Sequence, residues 1–202
     1  MSKPLKLIGK YTITEKIAES NFAELLAVKD ADDTDFILKL ARTNSARDTE
    51  LITREYRILS QMKHPNIVTA YDIDRHTDGR AYFTAEYVPG KPVSQYFRGF
   101  SEDFAIAMLQ VISALGVFHN KGFVHCDLKP DHILFDPMQK QTKLIDFGFA
   151  GVQDEDIRAA GTLSYIAPEV FKGLANDQRS DLYSLGVIMY EVISGKRMDG
   201  AL

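Results

Sequence analysis

Cysteine occurs once, at Cys126, so no internal disulfide can form and the chain suits a reducing compartment. No run of Lys or Arg interrupts the mildly acidic balance of 24 basic and 28 acidic residues. That argues against a general nucleic-acid binder. The N-terminal stretch MSKPLKLIGKYTITE lacks the apolar core of a signal peptide. The most apolar segment, Phe104 to Phe118, is broken by Gln110 and Ser113 and falls short of the ~20 residues a membrane span needs; it reads as a core helix. There are no repeats and no low-complexity segments. These absences leave a soluble, cytoplasmic domain as the expectation, with no membrane span and no nucleic-acid partner. At 202 residues and 45% hydrophobic, the chain can bury a sizeable core, and one domain is the default.

Against that background one stretch stands out, HCDLKPDHILFDPMQKQTKLIDFG, from His125 to Gly148. Apolar runs at 122–124, 133–135 and 144–145 alternate with polar residues, and Asp136-Pro137 marks a turn. Two carboxylates and a lysine fall where the apolar runs end. Asp127 can take a proton, Asp146 can hold a divalent cation, and Lys129 can offset growing negative charge. Phosphoryl transfer needs those parts, because its catalysis is mostly positioning and charge neutralisation. Asp-Phe-Gly or His-x-Asp alone would be weak, and both together in order about twenty residues apart are much stronger.

The stretch resembles the catalytic and metal-binding loops of protein kinases, with Lys129 as in the serine/threonine branch. The resemblance covers Tyr11 to the end in correct order, and Gly161-Thr162-Leu163-Ser164-Tyr165-Ile166-Ala167-Pro168-Glu169 is its most specific part. It implies an α+β, bilobal fold. Residues 11–88 would form an antiparallel N-lobe and hinge, and 89–202 a mainly helical, partial C-lobe. Alternation predicts strands at Tyr11–Ile17, Leu25–Val28, Phe36–Leu40, Val68–Ile73 and Ala81–Val88. Helical spacing predicts helices at Asp48–Met62, from Ser101 to Asn120, and at Leu182–Ile193.

By resemblance, Asp127, Lys129 and Thr162 are catalytic and Asp146 and His132 hold metal. Ile17, Leu25, Ile37, Lys39, Glu55, Glu86, Val88 and Leu134 would bind nucleotide. Lys39 outranks Lys29, which ends its strand before the turn. Glu55 would orient Lys39, and Ala85 would be an unusually small gatekeeper. Asp181 would brace the catalytic loop, although a lone Asp there also reads as a helix cap. The implied cofactors are ATP and Mg2+, with Mn2+ as a substitute, and the implied partner is a protein substrate.

Four departures bear on activity. Ala18, Ser20 and Ala23 replace the three loop glycines that let backbone N–H groups approach phosphates, and Glu19 and Glu24 add charge there. Ile37 replaces a small residue on the adenine face. Cys126 replaces an Arg, and His132 replaces a metal-binding Asn. The expectation is a slow or metal-shifted serine/threonine protein kinase. The alternative is a pseudokinase that regulates a partner, and a small-molecule kinase ranks behind both. Residues 149–161 contain no Ser, Thr or Tyr, so activation-loop phosphorylation is not expected. The segment 182–193 is apolar on nearly every face, so further chain or a partner is expected to cover it.

Overall fold

A computed structural model describes residues 7–151 and 163–198. The chain divides into two compact units. The first runs to Lys63 and takes in Val68–Tyr87, and the second holds His64–Ile67 and everything from Val88. Within the second unit, the Leu144 N–H donates to the Asn66 carbonyl (2.8 Å) and Asn66 Nδ2 donates to the Thr142 carbonyl (2.8 Å). Those bonds account for the short excursion at 64–67.

The first unit is built on a six-stranded antiparallel sheet. Its strands are β1 (Leu7–Ile8), β2 (Tyr11–Glu19), β3 (Ala23–Lys29), β4 (Asp35–Ala41), β5 (Ala70–Arg75) and β6 (Ala81–Glu86), in the order β1-β2-β3-β4-β6-β5. Period-two alternation sends Leu26, Val28, Leu38 and Leu40 to one face, where they pack with Ile8, Tyr11 and Tyr82. Helix α1 (Ala46–Leu59) starts two residues earlier than its apolar pattern suggests, because Ser45 caps it by accepting the Asp48 N–H (3.1 Å). It buries Ile52, Glu55, Ile58 and Leu59. A buried glutamate in that stripe already marks a paired charge.

In the second unit, β7 (Lys91–Pro92), β8 (Ile133–Asp136) and β9 (Gln141–Leu144) form a small antiparallel sheet, with a short helix α2 (Val93–Tyr96) after β7. Behind it lies α3 (Glu102–Asn120), capped by Ser101 (3.1 Å to the Phe104 N–H). By length and composition α3 could span a membrane, yet Phe104, Ala107, Met108, Val111, Ala114, Leu115 and Phe118 bury one face within this unit. The polar break at Gln110 serves the sheet. Its Oε1 accepts from Thr142 N (2.6 Å) and its Nε2 donates to the Lys140 carbonyl (3.1 Å).

After α4 (Pro168–Phe171), α5 (Gln178–Ser194) opens with a capping box at Asp177 and Ser180 and closes on Gly195 in the left-handed conformation. Asp181 is therefore not the helix cap. One face of α5 buries Leu185, Val187, Ile188 and Val192, while Leu182, Tyr190 and Ile193 are exposed.

At Gly90 the backbone runs against β8: a Cβ there would lie 2.7 Å from the Phe135 carbonyl oxygen and 2.8 Å from its carbon. Backbone cannot yield as a flexible side chain can. Gly90→Ala is expected to cost about 1–3 kcal/mol, read as a lower denaturation midpoint with an unchanged slope. A midpoint equal to wild type would contradict this packing.

Candidate active site

Cross-strand register lines up one face of the first unit's sheet. Leu25 lies opposite Lys39, which lies opposite Phe83; Ala27 lies opposite Ile37, which lies opposite Ala85. Leu25, Ile37 and Lys39 thus share the face away from the apolar core. The bulk of Ile37 directly faces the small Ala85, so two departures read separately from sequence offset each other in space. Lys39 Nζ meets Glu55 at 2.8 Å from Oε1 and 2.7 Å from Oε2, with the glutamate side chain 4% exposed. A partly buried lysine held this way is a fixed positive charge. Lys29 pairs instead with Asp33 (2.8 Å).

The hairpin tip between β2 and β3 is closed by Ser20. Its Oγ accepts from Ala23 N (3.1 Å) and Phe22 N (3.3 Å). Those N–H groups are directed inward rather than presented to an anion. Glu19 and Glu24 do not stand as bare negative charge, as expected from sequence. Glu24 pairs with Arg80 (2.9 Å) and Lys16 (3.1 Å), and Glu19 pairs with Lys16 and Arg42. Burial pushes the Glu24 carboxyl up, but Lys16 and Arg80 hold it below the ordinary range. Ile17 is largely exposed beside this tip. Glu86 ends β6, with its N–H donating to the Thr69 carbonyl (2.9 Å) and its carboxylate accepting the Thr69 N–H (3.3 Å).

The second unit builds its site on the segment between α3 and β8, an irregular loop that ends in a 3-10 turn. Asp181, 1% exposed on the first turn of α5, accepts the His125 N–H through Oδ2 (2.9 Å) and the Cys126 N–H through Oδ1 (3.1 Å). It also meets His119 Nε2 at 2.8 Å. The bracing role expected from the resemblance is therefore present. His119, at the end of α3, was not flagged by sequence; its only signal is one helical turn's reach from the loop.

Cys126 adopts φ 67°, left-handed for a residue with a side chain, and its two neighbours differ in fate. His125 is buried against Phe147 (centroids 4.9 Å), and among the described residues neither ring nitrogen finds a hydrogen-bond partner. Burial holds its pKa below the ordinary histidine range. Asp127, on the other side, presents its carboxylate to Lys129 Nζ (3.1 Å from Oδ2).

A 3-10 turn over Pro130–His132 then brings His132 back under the loop. Its Nδ1 lies 2.8 Å from the Asp127 backbone oxygen and 3.8 Å from the carboxylate. The Ile145 N–H donates to the His132 carbonyl (2.9 Å) and places Asp146, with φ 60°, beside the ring. Asp146 Oδ2 is 3.3 Å from His132 Nε2. Among the described residues no three His, Cys, Asp or Glu side chains are grouped so as to hold a metal ion. Leu134 lies on the face of β8 opposite the buried Ile133 and Phe135, and Val88 is half-buried after β6. Thr162 and most of the segment without Ser, Thr or Tyr lie outside the described residues.

The residues after Thr162 are tied to α5. The Tyr165 hydroxyl donates to Glu191 Oε2 (2.6 Å), Ser184 Oγ donates to the Tyr165 carbonyl (2.7 Å), and Ser180 Oγ donates to Glu169 (3.5 Å). Burial, then Glu191, push the Tyr165 pKa far up.

The protein kinase domain model matches residues 11–199. The chain belongs to the protein kinase family. Its relatives are serine/threonine kinases. Serine/threonine-protein kinase ULK1 of Homo sapiens is 31% identical over 94% of this chain and 20% of its own length. Serine/threonine-protein kinase pkn3 of Myxococcus xanthus is 31% identical over 92% of this chain and 38% of its own. PrkC of Bacillus subtilis is 30% identical over 95% and 31%. This kinase chain thus spans well under half the length of these relatives. Among solved structures, Rad53 residues 1-466 in complex with AMP-PNP matches 96% of this chain and 51% of that one, with a TM-score of 0.75 and 26% identity.

In this kinase, Asp181→Ala would remove the acceptor of the His125 and Cys126 N–H groups and the partner of the His119 ring. The expected cost is roughly 3–5 kcal/mol, measured by denaturant unfolding. A loss below about 1 kcal/mol would mean the loop is held by something else.

Proposed function

We propose that this kinase transfers the γ-phosphoryl group of ATP to serine or threonine hydroxyls of protein substrates. The observation that carries the reading is Asp127, a carboxylate on a loop anchored by Asp181, with Lys129 3.1 Å from its Oδ2. In this reaction the substrate hydroxyl gives its proton to the Asp127 carboxylate as its oxygen attacks the γ-phosphorus. The bond from that phosphorus to the bridging oxygen breaks, and ADP leaves. Lys129 sets a positive charge beside the growing negative charge. In the first unit, Lys39, held by its ion pair with Glu55, would be the cation for the α- and β-phosphates.

The same reading includes slow turnover. Ser20 takes up hairpin N–H groups that would otherwise face phosphates, so less phosphate binding is preorganised. The Asp146 carboxylate suits a divalent cation, but an imidazole at His132 does not suit Mg2+, which prefers oxygen ligands. No step of the transfer is therefore assigned to Mg2+.

Incubation with ATP carrying labelled γ-phosphate, with Mg2+ and separately with Mn2+, should label protein. Asp127→Asn should reduce labelling by about 10²–10⁴-fold while nucleotide binding persists. Absence of labelling by the wild type under both metals would instead identify a nucleotide-binding regulatory module.

A further inference from the structure

We propose that the tip of the β2–β3 hairpin is latched to the end of β4 and the start of α1 before nucleotide arrives, and that opening this latch gates nucleotide entry and release. This rests on the nucleotide reading above, in which the hairpin faces the phosphates.

The tip is a tight turn rather than a slack loop. The Ser20 N–H donates to the Ala23 carbonyl (2.8 Å), and Ser20 Oγ accepts from Ala23 N (3.1 Å) and Phe22 N (3.3 Å). A turn bonded to itself in this way moves as one piece. Its contacts with the rest of the unit then decide where it sits.

Two arginines supply those contacts. The β3–β4 ladder ends with Ala23 opposite Ala41, and the next residue, Arg42, reaches past that last pair. Its N–H donates to the Phe22 carbonyl (2.8 Å), and its guanidinium pairs with the Glu19 carboxylate. One residue thus grips the tip by backbone on one side and by charge on the other. Arg47 adds a third contact. Its guanidinium carbon lies 5.5 Å from the centre of the Phe22 ring, within the range of a cation–π attraction.

The position of Arg47 is a separate sign that the contact is built for the tip. Arg47 is the second residue of α1, where a helix presents its positive end and disfavours a cation. Ser45 and Asp48 already serve that terminus. Arg47 works against the helix and is accounted for by the ring it holds. The same helix carries Glu55, the partner of Lys39, so the latch fastens the hairpin to the element that positions Lys39.

A latch closed both with and without nucleotide has a kinetic signature. Loosening it raises the open fraction for molecules coming in and going out alike. Both rates rise while the affinity barely moves. Loss of a direct contact with nucleotide would instead speed release and weaken binding together.

The test pairs amide exchange at Arg42 in the nucleotide-free chain with stopped-flow binding of a fluorescent ADP analogue. Arg47→Gln and Phe22→Leu should each speed exchange at Arg42 about two- to fivefold, the worth of an exposed cation–π contact. Each should speed entry and release of the analogue by a similar factor at nearly constant Kd. The double variant should be no faster than either single one, because both remove the same contact. Lys29→Ala, which breaks an ion pair at the far end of β3, should change none of these. Exchange at Arg42 indifferent to both substitutions would overturn the latch. Faster exchange with unchanged binding kinetics would overturn the gating and leave the nucleotide reading intact, as would faster release with unchanged entry and weaker binding. A wild type that protects Arg42 yet binds no analogue would sink the nucleotide reading, and the gating with it.

Discussion

One carboxylate holds the chemistry of the second unit in place. Asp181 is rigid because it sits on the first turn of α5, and that turn is fixed by the capping box at Asp177 and Ser180. From there it accepts consecutive backbone N–H groups of a loop that has no ladder of its own. Buried backbone donors without partners are costly, so these bonds select one loop conformation. They also offset the left-handed backbone at Cys126, a cost of about 1–3 kcal/mol. Asp127 comes next in the chain, and its position is inherited from Asp181. The same helix ties down the segment around Tyr165, so α5 braces both sides of the site.

The second organising feature is compensation. Ile37 is too large and Ala85 too small for the family pattern, and they lie opposite each other across β4 and β6. Glu19 and Glu24 add charge to a hairpin that by resemblance would face phosphates, and Lys16, Arg42 and Arg80 absorb it. Ser20 is different. It stabilises the tip by using the N–H groups that glycines would leave exposed, so its effect on function is not offset within the hairpin. His132 is a change of chemistry, an imidazole where the family pattern has an amide, held by the carbonyl of Asp127.

Most of this was legible in the chain because it rests on spacing. Alternation put Lys39 and Ile37 on one face, helical spacing placed Glu55 on α1, and the order of Asp127, Lys129 and Asp146 marked a candidate site. Strand ends shifted by a residue or two, as at β5, where hydrogen bonding rather than apolarity sets the limits. Long-range pairings were not legible. Nothing near Ala85 announces Ile37, and nothing near Glu24 announces Arg80, 56 positions away. The left-handed backbone at Cys126 and Asp146 was also hidden, since neither residue type marks that conformation as glycine would. His119 escaped because a histidine ending an apolar helix ordinarily reads as a solvated cap.

The central claim is that an irregular loop is as firmly held as the core because a buried carboxylate binds its backbone. Amide hydrogen exchange resolved at His125 and Cys126 tests it most directly. The account predicts that both exchange as slowly as the buried amides of α3, by global unfolding. Exchange as fast as that of exposed loop amides would contradict it.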